Sequence, residues 1–256
     1  MKYALILGLT LLWNIAAAQD TDMALVKGGY FVPLYGASDD GGVAVKDFYM
    51  DITPVTHEQY LSFVRKFPKW QKSNVVRLFA DANYLTSWQG DTTPDPKLLK
   101  SPVNNVSWFA AKAYCECQGK RLPTVDEWEF AAMADETSRD ARKDSLNNQQ
   151  IIRSYEARNT HTKVIGDSPA NYWGIKDLHG LVWEWTLDFN AVILTGESRK
   201  QNNEISLFCA GGSIGANDLM NYAAFMRYAL RSSLKANFTL TNLGFRCVKD
   251  ATRQPL

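Results

Sequence analysis

The sequence predicts an α+β domain with much irregular backbone, and three observations carry that reading. Three segments open on helix-capping signals and then repeat apolar residues at spacings of three and four, whereas other apolar runs are short and bounded by turn residues. No Pro/Gly/Ser-rich linker divides the chain and no internal repeat is visible, so one large domain is simpler than two small ones. Aromatic residues make up 12% of the 256 residues, eight of them Trp. That is enough to fill a core and leave rings for a cleft.

The first 18 residues read as a signal peptide. Lys2 gives a positive start, residues 4–15 are apolar except for Gly8, Thr10 and Asn14, and Ala16-Ala17-Ala18 supplies small residues for cleavage. The run through Ala18 is shorter than the ~20 apolar residues that span a bilayer. Cleavage is expected after Ala18, leaving residues 19–256 as the domain, periplasmic or secreted, with no transmembrane anchor. Lys and Arg number 28 against 27 acidic residues, mixed along the chain. This balance excludes the electrostatic footprint of a nucleic-acid or anionic-membrane binder. Partners are then to be sought by shape and pocket.

Residues 24–35 alternate and carry Gly28-Gly29, and residues 43–50 are rich in Val, Phe and Tyr. Both predict strands, joined by the Asp39-Asp40-Gly41-Gly42 turn. At Thr56-His57-Glu58-Gln59 the hydroxyl and the Gln three residues on form a capping box, followed by Tyr60, Phe63, Val64 and Phe67 on one helical face. Residues 70–100, polar and aromatic with Pro94 and Pro96, read as an extended loop. A second helix opens at Ser107, lines up Trp108, Ala111 and Cys115, and stops at Gly119. A third starts in the capping box Thr124-Val125-Asp126-Glu127, with Trp128, Ala131 and Ala132 inward. Residues 135–166, charged and amide-rich, predict a surface excursion of irregular structure. Short apolar bursts follow at 181–185, 208–214 and 243–248.

His57, His161 and His179 lack metal-ligand spacing. Cys115, Cys117, Cys209 and Cys247 lie in the exported part, where oxidation is favoured. Cys115 and Cys117, two apart on a helix, point to different sides and do not bond to each other.

A longer set of motifs now falls into order. Gly28-Gly29-Tyr30-Phe31, Thr53-Pro54-Val55-Thr56, Val106-Ser107-Trp108, Ala113-Tyr114-Cys115, Gly119-Lys120-Arg121-Leu122-Pro123-Thr124, Glu127-Trp128-Glu129, Trp183-Glu184-Trp185, Gly211-Gly212-Ser213, Arg231-Ser232 and Leu243-Gly244-Phe245-Arg246-Cys247 follow one another. In this order they resemble the formylglycine-generating enzyme, or sulfatase-modifying factor, family over nearly the whole expected mature chain. The resemblance implies a loop-rich variant of the C-type-lectin fold and a disulfide between Cys115 and Cys247.

The active members of that family carry a cysteine pair between the Gly-Gly-Ser and the Arg-Ser, which binds copper and activates oxygen to oxidise a substrate cysteine to formylglycine. Counting back from Arg231-Ser232 places the pair at Ala223 and Tyr228, neither of which ligates a soft metal. Around these vacant positions Trp183, Ser213, Tyr222, Arg227 and Arg231 would offer stacking surface and donors to an anionic or peptide-like ligand. The alternative is that the arginines satisfy carboxylates and carbonyls inside the fold.

Calcium, held in the family near the Trp-Glu-Trp strand, loses one oxygen ligand to Leu181, and Glu184 is left as the candidate. Cys117 and Cys209 are a possible second pair, as a disulfide before a copper site.

The resemblance thus implies an exported, non-catalytic accessory or binding protein with a periplasmic protein partner. The alternatives are an oxygen- or copper-dependent maturation enzyme with replaced site residues, and a lectin-like carbohydrate binder. Intact mass of exported material is expected to place the first residue at Gln19; a full-length protein held in the membrane would overturn the signal reading.

Overall fold

The computed structural model describes residues 22–33, 42–190 and 219–251, with residues 219–221 through their backbone alone. The expected signal peptide, Asp39 to Gly41 of the expected turn and the burst at 208–214 lie outside these residues.

The two strand signals each split in two. Residues 24–35 yield β1 (Met23–Val26) and β2 (Gly29–Phe31), and residues 43–50 yield β3 (Val43–Val45) and β4 (Phe48–Asp51). β1 pairs antiparallel with β4, placing Val26 opposite Phe48, and β2 pairs antiparallel with β3. Gly28 sits at the break. A Cβ there would lie 2.1 Å from the Val45 carbonyl oxygen, so only glycine permits this approach, and its N–H donates to Asp47 at 2.9 Å. On the other edge of β4 lies β7 (Val248–Asp250), completing an antiparallel sheet in the order β1-β4-β7. A short parallel pair joins β5 (Trp183–Glu184) to β6 (Leu243–Gly244).

The three expected helices form where their caps stand. α1 (His57–Lys66) and α3 (Val125–Ala132) each begin in a complete capping box, and Ser107 caps α2 (Trp108–Cys117). Such caps contribute ~1 kcal/mol each. α1 and α2 enclose an aromatic core with residues of the 70–100 loop. The Tyr84 hydroxyl donates to the Trp70 carbonyl at 2.9 Å, so Tyr60 donates to Tyr84 at 2.7 Å. Tyr60 also stacks on Tyr114 with centroids 5.8 Å apart. A second core lies between the β1-β4-β7 sheet and α3, where Val26, Phe48 and Met50 meet Trp128 and Phe130.

Among the described residues, two α-helices stand where the sequence predicts none. Residues 135–166 are not wholly irregular: α4 (Ser145–Glu156) opens on Asp144, whose carboxylate accepts from the Leu146 and Asn147 N–H groups. α4 hides only Asn148 and Ile151, and the Asn148 amide donates to the Arg142 carbonyl at 2.6 Å. A buried amide in place of an apolar residue erases the helical stripe. The other is α5 (Leu219–Ser233), which packs against α4. Together α3, α4 and α5 frame the interior described below.

Cys115 of α2 and Cys247, just before β7, form the expected disulfide, 132 residues apart in sequence. In the chain-entropy model a loop of this length stabilises by up to ~5 kcal/mol. Replacing both cysteines by Ala is expected to lower the unfolding free energy obtained from urea titration by most of that amount, with a lower midpoint. An unchanged midpoint would show that the bridge contributes nothing.

Candidate functional site

α3, α4, α5 and β5 converge on a buried polar network. Glu129 of α3 accepts from Arg227 Nε at 2.9 Å and Nη2 at 2.6 Å, and from Arg231 Nη1 at 2.6 Å. The two arginines lie four apart on α5 and so share a face. Burial alone would raise the Glu129 carboxyl, but the charges and hydrogen bonds of Arg227 and Arg231 outweigh it and hold it at about 2. Arg227 Nη1 donates to the Tyr155 hydroxyl of α4 at 3.0 Å, which lies 2.9 Å from His179 Nδ1. His179 Nε2 is 2.9 Å from the Ala132 carbonyl, which only accepts. The tautomer is therefore fixed: Nε2 carries the proton and Nδ1 accepts from Tyr155. Burial and then the Arg227 charge push His179 down to about 4, so it stays neutral.

A second buried pair lies beside the first. Arg246 donates from Nε and Nη2 to both oxygens of Glu184 at 2.8 to 3.0 Å, and Trp128 Nε1 donates to the same carboxylate at 2.7 Å. Trp128 joins the two networks, since its ring lies 4.8 Å from the Arg231 guanidinium and 5.6 Å from that of Arg227.

Two cavities flank this interior. One, of about 330 Å³, is lined by Trp128, Tyr155, Trp183, Arg227 and Arg231. The other, of about 320 Å³, is lined by Phe31, Arg142, His179, Ala223, Arg227 and Tyr228. Ala223 and Tyr228, the positions to which the resemblance assigns the family's cysteine pair, thus share one cavity, Trp183 and Arg231 share the other, and Arg227 borders both. Burial raises the Tyr228 phenol well above its usual range.

Glu184 aside, the other expected site residues stand apart from the two cavities or outside the described residues. Tyr222 is 45% exposed and borders neither cavity. Glu184 does not offer an open carboxylate to calcium, because Arg246 and Trp128 occupy both of its oxygens. Among the described residues no three His, Cys, Asp or Glu side chains gather as a metal-binding set. Cys117 is a free thiol, raised by burial, and lines neither cavity; its suggested partner Cys209, like Ser213, lies outside the described residues. Glu129, Tyr155 and His179 escaped the sequence reading as site residues. The available signal was the Arg227/Arg231 spacing, which puts two cations on one helix face, but nothing local says that this face is buried against a carboxylate.

The fold is a mixed α+β domain with, among the described residues, three small sheets, and the site is an internal arginine-carboxylate network between two cavities. The sulfatase-modifying factor enzyme 1-like domain matches residues 13–251, and the chain belongs to that family. It is 28% identical to the inactive C-alpha-formylglycine-generating enzyme 2 of Mus musculus, over 94% of this chain and 89% of that protein. It is also 28% identical to the formylglycine-generating enzyme of Streptomyces coelicolor, over 86% and 83% of the two chains. Among solved structures, PvdO from Pseudomonas aeruginosa aligns with a TM-score of 0.47 at 17% identity, covering 90% of this chain and 94% of that one.

Two buried histidines, His179 of the site and His57 of the aromatic core, make stability depend on acidity. His57, buried with Nδ1 accepting from Trp88 Nε1 at 2.8 Å, is pushed by burial to about 4, like His179, against 6.5 for the free side chain. The unfolded chain therefore binds two protons between pH 6.5 and 4 that the folded chain refuses. Stability is expected to fall as pH falls through that window, by ~3 kcal/mol per histidine. The depressed Glu129 extends the loss as pH falls further, from 4.5 towards about 2. Thermal unfolding followed from neutral pH to pH 4 should show the midpoint dropping, and a flat profile would contradict the buried neutral histidines.

Proposed function

We propose that this chain is an exported, non-catalytic accessory or binding protein built on the sulfatase-modifying factor scaffold. The observation that carries the reading is chemical: no cysteine lies between Cys209 and Cys247, the stretch that in active members holds the copper-binding pair. Substrate oxidation by that route needs soft, redox-active ligands at the cleft. Ala223 supplies a methyl group, and the buried Tyr228 phenol is a hard, protonated group at neutral pH. Cys115 and Cys247 are bonded to each other, and Cys117 sits away from both cavities.

Similarity to a relative named as inactive supports the same reading. The C-type-lectin-like layout implied by the motifs belongs to this proposal as the scaffold that holds the loops. A periplasmic protein is the partner proposed. Purified protein supplied with copper and oxygen is expected to leave the cysteine of a sulfatase-type peptide unchanged, as read by peptide mass and aldehyde reactivity. Turnover by the unmodified protein would sink the reading and favour an oxygen- or copper-dependent maturation enzyme. Absence of turnover together with stoichiometric capture of a partner from periplasmic extract would support it.

A further inference from the structure

The two arginines of α5 are not equally used. Arg227 commits every nitrogen, Nε and Nη2 to Glu129 and Nη1 to Tyr155. Arg231 is only 5% exposed and gives Nη1 to Glu129, while its Nε and Nη2 have no acceptor among the described residues. Asp188 is close enough to feel the Arg231 charge, but its Oδ1 accepts from the Val125 N–H at 2.7 Å and it makes no hydrogen bond to Arg231. Neither nitrogen is sealed off as an unpartnered buried donor, so both keep some exposure and are open to an incoming acceptor. One carboxylate, Glu129, hydrogen-bonds both guanidiniums, and Asp188 acts on Arg231 through its charge alone.

Arg231 lines the cavity of about 330 Å³ and not the other. Its guanidinium lies 4.8 Å from the Trp128 ring, and the Nε and Nη2 edge is a fork of the kind that donates to a carboxylate through two parallel bonds. The wall is mixed, with Arg158, Asn159, Thr160, His161, Glu184 and Asn242 on it, but one part is apolar and aromatic. Tyr155 and Trp183 lie with ring centroids 4.7 Å apart, and Leu230 and Leu234 complete the surface. This volume is at the small end of the range for ligand sites.

We infer that the cavity binds a small carboxylic acid with an aromatic or apolar body, its carboxylate in the Arg231 fork and its body against Trp183 and Leu234. This names the ligand class of the cleft in the binding reading above and rests on that reading. Phenylacetate and indole-3-acetate, followed by calorimetry or by quenching of tryptophan fluorescence, are the probes, with phenylacetamide as the neutral isostere.

The acids are expected to bind at least about tenfold more tightly than the amide, a difference of ~1.4 kcal/mol. Arg231→Lys, which keeps the charge and removes the fork, should erase that preference. If this variant does not fold, the comparison of acid with amide on the unmodified protein decides by itself, and Trp183→Leu should weaken both probes together. No binding of either acid at about 10 mM, equal binding of acid and amide, or binding of inorganic phosphate in place of the acids would overturn the inference. Selective acid binding without capture of a partner protein would leave this site standing and remove the protein-partner reading instead.

Discussion

The fold depends most on the full use of one buried side chain, Arg246. It has no exposed surface, and it donates to both oxygens of Glu184 and to the carbonyls of Asp51, Ile52 and Lys176. These acceptors come from the end of β4, the turn before β5, and β5 itself. With so little regular sheet, the backbone carbonyls there have few ladder partners, and a planar cation with five donors serves them at once. Burying an ion pair gains little over apolar packing, but removing one member strands the other, so the arrangement fixes geometry more than it adds stability. Glu184 passes that constraint to Trp128, and through its ring to α3 and both arginines of α5.

The same economy recurs where the chain is irregular. Residues 70–100 contain little beyond turns and short 3-10 segments, yet Tyr84, Leu85 and Trp88 from this stretch are buried. Their polar ends are met inside: the Tyr84 hydroxyl by Trp70 and Tyr60, and the Trp88 indole by His57. An irregular segment can enter a core only on such terms, because buried backbone and side-chain polar groups need partners that regular structure would otherwise supply.

What the sequence revealed follows from the range over which each signal acts. The boxes at Thr56/Gln59 and Thr124/Glu127 are closed within one turn, so they can be read from a few residues, and both formed. α4 could not be read in this way, because its buried face includes Asn148 and its cap, Asp144, lies in a run of other polar residues. The family motifs brought Cys115 and Cys247 together across 132 residues, a pairing that no local pattern supplies. Glu129 was visible as part of Glu127-Trp128-Glu129, but its role depends on partners 98 and 102 residues away. Glu184 shows the converse: a carboxylate in a motif associated with calcium is here neutralised by Arg246, which a residue-by-residue comparison does not reveal.

Arginine chemistry separates architecture from function in this chain. Arg246 and Arg227 have every nitrogen matched by an internal acceptor, and such residues belong to the fold whatever the protein does. Arg231 stands on the same helix face as Arg227, is as deeply buried, and shares the same carboxylate, but part of its donor set has no internal match. A scaffold that satisfies its other buried arginines so completely gains nothing structural from that remainder. Under the binding proposal, recognition resides in that local surplus of donors rather than in the fold.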